Sequence, residues 1–302
     1  MKINDIEKSA SNFEGDIFFN YDLKKLNWFN IGGKTEIFFK PNTLKSLINF
    51  LKLYSNRGKI FVLGAGSNVL ISDNKLNGVV IKLGKKFSNI SILNKNLIVA
   101  GCAILQKNLS EFAKENSLGG LEFLSCIPGS VGGGIRMNSG CFKREFKDIL
   151  ISVQYIDYNG NVKSINSNLI NFEYRGTNLP KDAIFLSATF KGSNKNKIDI
   201  QKEIDELKKK KESSQPSKIK TGGSTFKNPI LKTEKKVWQL IEESVPIDLK
   251  FGDAQISKKH SNFFINNNNA SFNDMKLLIN YVKKKVKEKT GIEINLEIVV
   301  VE

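Results

Sequence analysis

Residues 127–142 read IPGSVGGGIRMNSGCF, with five glycines and one proline in sixteen positions. Glycine lets the backbone approach a ligand closely and take positive φ without penalty. A chain that concentrates it this way usually wraps something, most often a phosphate or pyrophosphate held by backbone N–H groups. A glycine-rich surface loop is the plain alternative, and one such run does not decide between them. A second stretch, residues 62–73 (VLGAGSNVLISD), shifts the balance. The apolar run at 60–63 predicts a buried strand that turns on Gly64 and Gly66. The turn looks like the start of a dinucleotide fingerprint. However, no third glycine falls at the right spacing, and Val69–Ile71 reads as extended rather than helical. The two loops predict phosphate-scale binding on a different scaffold.

The chain has 302 residues, 40% of them hydrophobic, including 21 phenylalanines. That is enough for a substantial core and two domains. No stretch approaches the roughly 18 consecutive apolar residues of a membrane span. Residues 1–16 mix charges early and have no apolar signal core. A cytoplasmic protein with no membrane partner is expected. Three cysteines, Cys102, Cys126 and Cys141, lack C-x-x-C spacing, which argues against a disulfide framework or a zinc site. The single histidine, His260, removes most Ser-His-Asp and histidine–metal schemes.

The net charge is +17, from 47 Lys+Arg against 30 Asp+Glu. A non-catalytic, basic, nucleic-acid-binding protein is one reading of that charge. Yet the only arginines are Arg57, Arg136, Arg144 and Arg175, and the lysines are spread along the chain. Nucleic-acid readers lean on arginine for bidentate contacts. No nucleic-acid partner is expected, while a positive field favours any anionic ligand.

Taken in order, residues 1–20 read as a loosely ordered lead-in. Residues 43–54 predict an amphipathic helix with Leu44, Leu47, Ile48 and Leu51 on one face and Thr43 as its cap. Strands are expected at 60–63, 79–83 and 97–100, and a helix at 105–116. The glycine loop follows. Asn159-Gly160 marks a hairpin between 149–158 and 162–165, with another strand at 183–190. A composition break at 191–197 precedes a helix that runs through Ile200, Ile204 and Leu207 into the solvated lysines 208–211. A short helix falls at 237–241. A longer one at 271–289 carries a Ser271/Asp274 capping box and an apolar stripe of Met275, Leu278, Ile279, Val282 and Val286. Residues 294–301 read as a final strand. This mixture, with an antiparallel hairpin, predicts an α+β fold rather than a doubly wound parallel sheet.

The two loops, together with NWFNIGG (27–33), FEYR (172–175), GGSTFKNP (222–229), GDAQISKKHSNF (252–263) and GIEINLEIV (291–299), resemble the family of UDP-N-acetylenolpyruvoylglucosamine reductases. The blocks occur in the family's order from about residue 27 onward. The resemblance implies a two-lobed FAD-binding domain of the vanillyl-alcohol-oxidase type plus a smaller α+β substrate-binding domain. Residues 1–20 would be the lead-in, 21–192 the FAD-binding domain with two subdomains, 198–290 the substrate-binding domain, and 291–302 a C-terminal strand returning to the FAD domain. The short span between Phe190 and Pro229 points to the form without an extra tyrosine-bearing loop. A monomer is expected. Another FAD oxidoreductase on the same fold is the nearest rival. GGSTFKNP and INLEIV argue against it, because they lie in the substrate part.

The resemblance further implies that NADPH reduces FAD, which relays hydride to the terminal carbon of an enolpyruvyl C=C bond. The neighbouring carbon is then protonated, giving UDP-N-acetylmuramate for peptidoglycan. Such chemistry needs a cation on the substrate carboxylate, a proton donor and a pyrophosphate clamp. Arg175 matches the carboxylate-binding arginine, Ser224 the proton donor and Glu297 the catalytic glutamate, expected on a largely buried strand. Lys227 and Asn228 are placed at the substrate. FAD contacts are expected from Gly64, Ala65, Gly66, Ser67 and Asn68, and from Pro128, Gly129, Ser130, Gly132 and Gly133, with Asn138 and Gly140 near the isoalloxazine. Arg136 reads equally as a phosphate ligand or a packing residue, and His260 as a structural residue. With no histidine in the proposed flavin domain, FAD is expected to be non-covalent. No metal is expected.

Overall fold

The computed structural model describes residues 3–55 and 57–302, with backbone alone at residues 3 and 4. The chain divides into two compact units. Met1–Asn20, Glu36–Ala65 and Asn77–Lys210 form the first; Tyr21–Thr35, Gly66–Leu76 and Lys211–Glu302 form the second.

The first unit holds two cores. One is built on a four-stranded sheet in the order Gly15–Asp22, Lys34–Pro41, Leu76–Ile81, Lys59–Val62, the ends of three strands running into the second unit. Ile60 pairs with Val79 in the parallel register of the last two strands. Helix Leu44–Tyr54 begins where Thr43 accepts from the Ser46 N–H (3.3 Å). It buries Leu47, Phe50, Leu51 and Tyr54, with the Phe50 ring stacked on Phe39 at 4.2 Å. The other core lies on a five-stranded antiparallel sheet in the order Val162–Asn166, Leu150–Ile156, Ile184–Lys191, Leu97–Gly101, Ile90–Asn94. Gly160 takes φ +88° at the tip of the expected hairpin. Helix Gln106–Glu115 contributes Leu109 and Ala113 to this core, together with Val131, Ile135, Phe146 and Phe190.

In the second unit the sheet order is Thr221–Ser224, His260–Asn266, Ala254–Ser257, Lys250–Phe251. Helices Val237–Ser244 and Phe272–Thr290 share its core. The longer helix opens on the expected reciprocal cap, Ser271 Oγ accepting from the Asp274 N–H (3.1 Å) and Asp274 Oδ2 from the Ser271 N–H (2.9 Å). It ends on left-handed Gly291. Met275, Leu278, Ile279, Val282 and Val286 are all buried, each contributing roughly 1.5–3 kcal/mol of apolar burial.

Several expectations need correction. Residues 15–20 are not loose: Gly15–Asp22 is a sheet strand whose residues alternate between half-buried and exposed, which dilutes its apolar signal. The glycine loop contains a helix, Val131–Arg136. Three glycines in succession disfavour helix by about 1 kcal/mol each, so the helix owes its existence to its surroundings. Ser130 Oγ caps Gly133 N (3.3 Å), while Val131 N and Gly132 N donate to the carbonyls of Ile104 (2.8 Å) and Cys102 (2.9 Å). A side chain at Gly134 would lie 2.4 Å from the Phe146 ring.

The final strand is shorter than expected, Val299–Val301, because Glu297 N and Ile298 N both turn to the Thr225 carbonyl (2.8 and 3.5 Å) and break the ladder. It pairs in parallel with Val69–Ile71. That strand comes from the segment assigned by sequence to the flavin domain but clusters with the second unit. The units are therefore not the contiguous 21–192 and 198–290. The first unit also continues to Lys210, through helix Lys197–Ser214, whose Ile200 and Ile204 are buried.

Candidate active site

In the first unit the two glycine loops meet. A Cβ on Gly64 would stand 2.5 Å from Ser130 Oγ. At this junction the N–H groups of Gly64, Ala65, Gly129 and Ser130 have no protein acceptor among the described residues. Unpaired amide donors on two abutting loops are the groups an anion cradle is made from, and their chemistry fits the pyrophosphate of a dinucleotide. The N–H groups of Gly132 and Gly133 serve the protein instead, so these two residues offer closeness rather than donors. Lys82, which sequence reasoning passed over, donates its ammonium to the Gly64 carbonyl. Across a trans peptide, C=O and N–H point in opposite directions. Anchoring the Gly64 oxygen therefore turns the Ala65 N–H away from Lys82. Burial, and then the neighbouring Lys40, depress the Lys82 pKa.

Arg136 is a packing residue. Its guanidinium donates to the carbonyls of Leu179 (3.0 Å), Pro180 (2.9 Å) and Ala183 (2.8 Å) and lies 4.4 Å over Phe185. Asn138 is fully buried. Its amide donates to Glu145 Oε2 (3.0 Å) and the Glu173 carbonyl (3.1 Å), and its oxygen accepts from Lys147 N (3.0 Å). These bonds make its side chain a strut. The Gly140 carbonyl accepts from Arg175 Nη2 at 2.8 Å. Arg175 itself sits at φ +60°, a region non-glycine residues rarely occupy.

In the second unit, two further candidates lie on adjoining segments. Thr225 O accepts from Glu297 N (2.8 Å), Phe226 bridges Leu296, and Lys227 N donates to Asn295 O (2.8 Å). GGSTFKNP and INLEIV thus run antiparallel, side by side. Ser224 is half-buried, and its hydroxyl has no hydrogen bond among the described residues. Beside it, Gly223 takes φ +79° and faces open space. Glu297 lies in a bend, half-buried, rather than on a strand. Asn68 clamps this bend: its Nδ2 donates to Glu297 O (3.0 Å), and its own carbonyl accepts from Val299 N (2.9 Å). Gly66 needs φ +71°, and a side chain there would lie 2.1 Å from the Leu26 carbonyl. Asn228 Oδ1 accepts from Val237 N (3.0 Å) and so caps the following helix. His260 Nδ1 accepts from Asn262 N (3.2 Å), with Trp238 and Phe263 against its ring. Burial lowers its pKa.

Among the described residues, no cluster could hold a metal ion and no helix is long and apolar enough to cross a membrane. Residues 35–166 match the family model of an FAD binding domain. With the amide cradle, this makes the chain an FAD-dependent oxidoreductase of α+β architecture. Residues 215–301 match the C-terminal domain of UDP-N-acetylenolpyruvoylglucosamine reductase. The chain is 58% identical over 298 residues to the enzyme of that name from Pelagibacter ubique, covering 99% of each. It is 44% identical over 285 residues to the one from Rickettsia bellii, covering 94% of this chain and 93% of the other. The crystal structure of UDP-N-acetylenolpyruvylglucosamine reductase from Thermus caldophilus superposes with a TM-score of 0.79 at 26% identity, covering 96% of this chain and 99% of that one. The chain belongs to the UDP-N-acetylenolpyruvoylglucosamine reductase family.

Proposed function

We propose that the chain reduces UDP-N-acetylglucosamine enolpyruvate to UDP-N-acetylmuramate in the cytoplasm, with NADPH as electron donor and non-covalent FAD as relay. The observation that carries the assignment of roles is the antiparallel pairing of residues 225–227 with 295–297. It places the Ser224 and Glu297 segments side by side. FAD bound at the cradle and reduced by NADPH would supply hydride to the terminal alkene carbon. The π electrons then move to the neighbouring carbon and onto the carboxylate oxygens.

Arg175 meets that carboxylate with a guanidinium, which is planar and does not lose its proton. Ser224 gives its hydroxyl proton to the neighbouring carbon. A hydroxyl is about as weak an acid as water, so it serves only because the enolate-like carbon is a strong base. Its freedom from internal hydrogen bonds suits the role. Glu297 supports the developing charge, and Lys227 and Asn228 hold substrate. Gly64, Ala65, Gly129 and Ser130 hold the FAD pyrophosphate through their N–H groups. The single histidine, already engaged with Asn262 N, supports non-covalent attachment. Three free cysteines support a reducing compartment.

The test is an anaerobic visible spectrum of the FAD-loaded protein, reduced with NADPH and then given the enolpyruvyl substrate. Bleaching followed by return of colour without oxygen is expected. Ser224→Ala is expected to bleach normally and to slow the return by roughly 10²–10⁴-fold. Bleaching without return in the unaltered protein would refute the acceptor, and normal return in Ser224→Ala would refute the role of Ser224.

A further inference from the structure

A guanidinium grips a carboxylate in plane only when its own plane is fixed, because the arginine side chain otherwise has about 2 kcal/mol of rotamer freedom to lose. We infer that Glu145 is the positioning residue that fixes the plane of Arg175. The inference rests on the reading of Arg175 as the carboxylate-binding arginine.

Glu145 and Gly140 face each other in the short hairpin of Gly140–Cys141 and Arg144–Glu145. Between them they hold the guanidinium at two points. The Gly140 carbonyl accepts from Nη2 at 2.8 Å, and Glu145 Oε1 lies 3.8 Å from Nη1. The Tyr174 ring lies 4.9 Å from the guanidinium carbon. Glu145 is itself immobilised: its Oε2 accepts from Asn138 Nδ2 and pairs with Lys147 Nζ, both at 3.0 Å. Its backbone N–H donates to Asp148 Oδ2 at 2.8 Å. Asn138 gives its other amide bond to the Glu173 carbonyl, two residues before Arg175. The strut therefore ties both the carboxylate and the backbone two residues before the arginine to one buried side chain.

The backbone supports the same conclusion. Asn138, Phe142, Lys143 and Arg175 all have positive φ, at +40°, +52°, +64° and +60°. Non-glycine residues hold such conformations only where the surroundings over-determine them. An ordinary surface ion pair needs none of this and contributes about 0–1 kcal/mol. The Arg175–Glu145 pair is largely screened from water, its side chains only 16% and 19% exposed. Lys147 alone already neutralises the Glu145 charge. The remaining contacts serve geometry.

The test follows both half-reactions of the FAD-loaded protein by anaerobic stopped flow in Glu145→Gln, Glu145→Ala, Arg175→Ala and the double variant Glu145→Ala/Arg175→Ala. Flavin reduction by NADPH is expected to stay within about twofold of the unaltered protein in the Glu145 variants. Reoxidation by the enolpyruvyl substrate is expected to slow by roughly 10- to 100-fold in Glu145→Ala, the range of a misplacement of up to 1 Å. Glu145→Gln keeps the acceptor for Asn138 and falls between. It also carries the test should the alanine variant fail to fold. In the Arg175→Ala background the Glu145 change is expected to add nothing, as shared action requires. Slowings that multiply, or normal reoxidation in Glu145→Gln and Glu145→Ala alike, would overturn the positioning role. Normal reoxidation in Arg175→Ala would instead overturn the reading of Arg175 on which it rests.

Discussion

Replacing Gly64 with alanine puts a methyl carbon 2.5 Å from Ser130 Oγ, about 0.9 Å inside the 3.4 Å at which ordinary contact begins. Two responses are open. Ser130 can swing away, losing the hydrogen bond it accepts from Gly133 N at 3.3 Å, a helix cap worth about 1 kcal/mol. Otherwise the two loops part, and the N–H groups of Gly64 and Ala65 move off those of Gly129 and Ser130. Either response weakens the cradle. A loss of about 1–1.4 kcal/mol raises the FAD dissociation constant roughly five- to tenfold. The assay is titration of the apoprotein with FAD, followed by flavin fluorescence, with a thermal melt to separate folding from binding. Ser130→Ala removes the obstructing oxygen. In Gly64→Ala/Ser130→Ala, FAD affinity is therefore expected to return to that of Ser130→Ala alone, a favourable coupling. If Gly64→Ala binds FAD as tightly as the unaltered protein, or the double variant binds no better than Gly64→Ala, the contact between the loops does not shape the cradle.

Lys82→Met keeps the aliphatic stem and removes the ammonium from the Gly64 carbonyl; loss of a charged hydrogen bond of ~1.5–3 kcal/mol is expected to weaken FAD binding about tenfold or more in the same titration. Because burial places the Lys82 pKa below the ordinary 10.5, FAD affinity should fall as pH rises through that lowered value, and this fall should be absent in Lys82→Met. Asp157 accepts from the N–H groups of Asn159 (3.0 Å) and Asn161 (2.9 Å) and pairs with Lys163 (3.0 Å). Burial pushes its carboxyl up, but the Asn161 and Lys163 bonds outweigh that and hold the pKa at about 2, below the ordinary 3.8. Its stabilisation is therefore complete above the ordinary value and lost as pH falls toward about 2. Acid-unfolding curves of the unaltered protein and Asp157→Asn are expected to converge there and to stand apart at neutral pH.

What the sequence disclosed was local. Thr43, Ser271 with Asp274, Gly291 and Asn159-Gly160 each act within a few residues of themselves, and each does what its chemistry predicts. The FAD-type reductase was legible because its residue types sit in short blocks in a fixed order. The misreadings were at long range. Nothing within residues 131–136 says helix; the carbonyls of Ile104 and Cys102 and the Phe146 ring say it. The bend at Glu297 comes from sharing one carbonyl, that of Thr225. Lys82 left one faint signal, a lone lysine in the apolar run VVIKL. Glu145 left none, because its partners Asn138 and Arg175 are distant or unordered in sequence and meet only through the hairpin. Arg136, balanced between two readings from sequence, is decided by three backbone carbonyls.

The pairing of Val69–Ile71 with Val299–Val301 has a consequence for synthesis on the ribosome. Asn68 and the carbonyl it clamps at Glu297 are 229 residues apart. At roughly 5–20 residues per second, the earlier strand waits on the order of ten to forty-five seconds for its partner to emerge. During that interval the apolar Val69–Ile71 edge is open to other nascent chains. The first unit ends at Lys210 and has its whole sequence available well before then. Asn68 can clamp Glu297 only after that wait, so the second unit closes long after the sequence of the first is available.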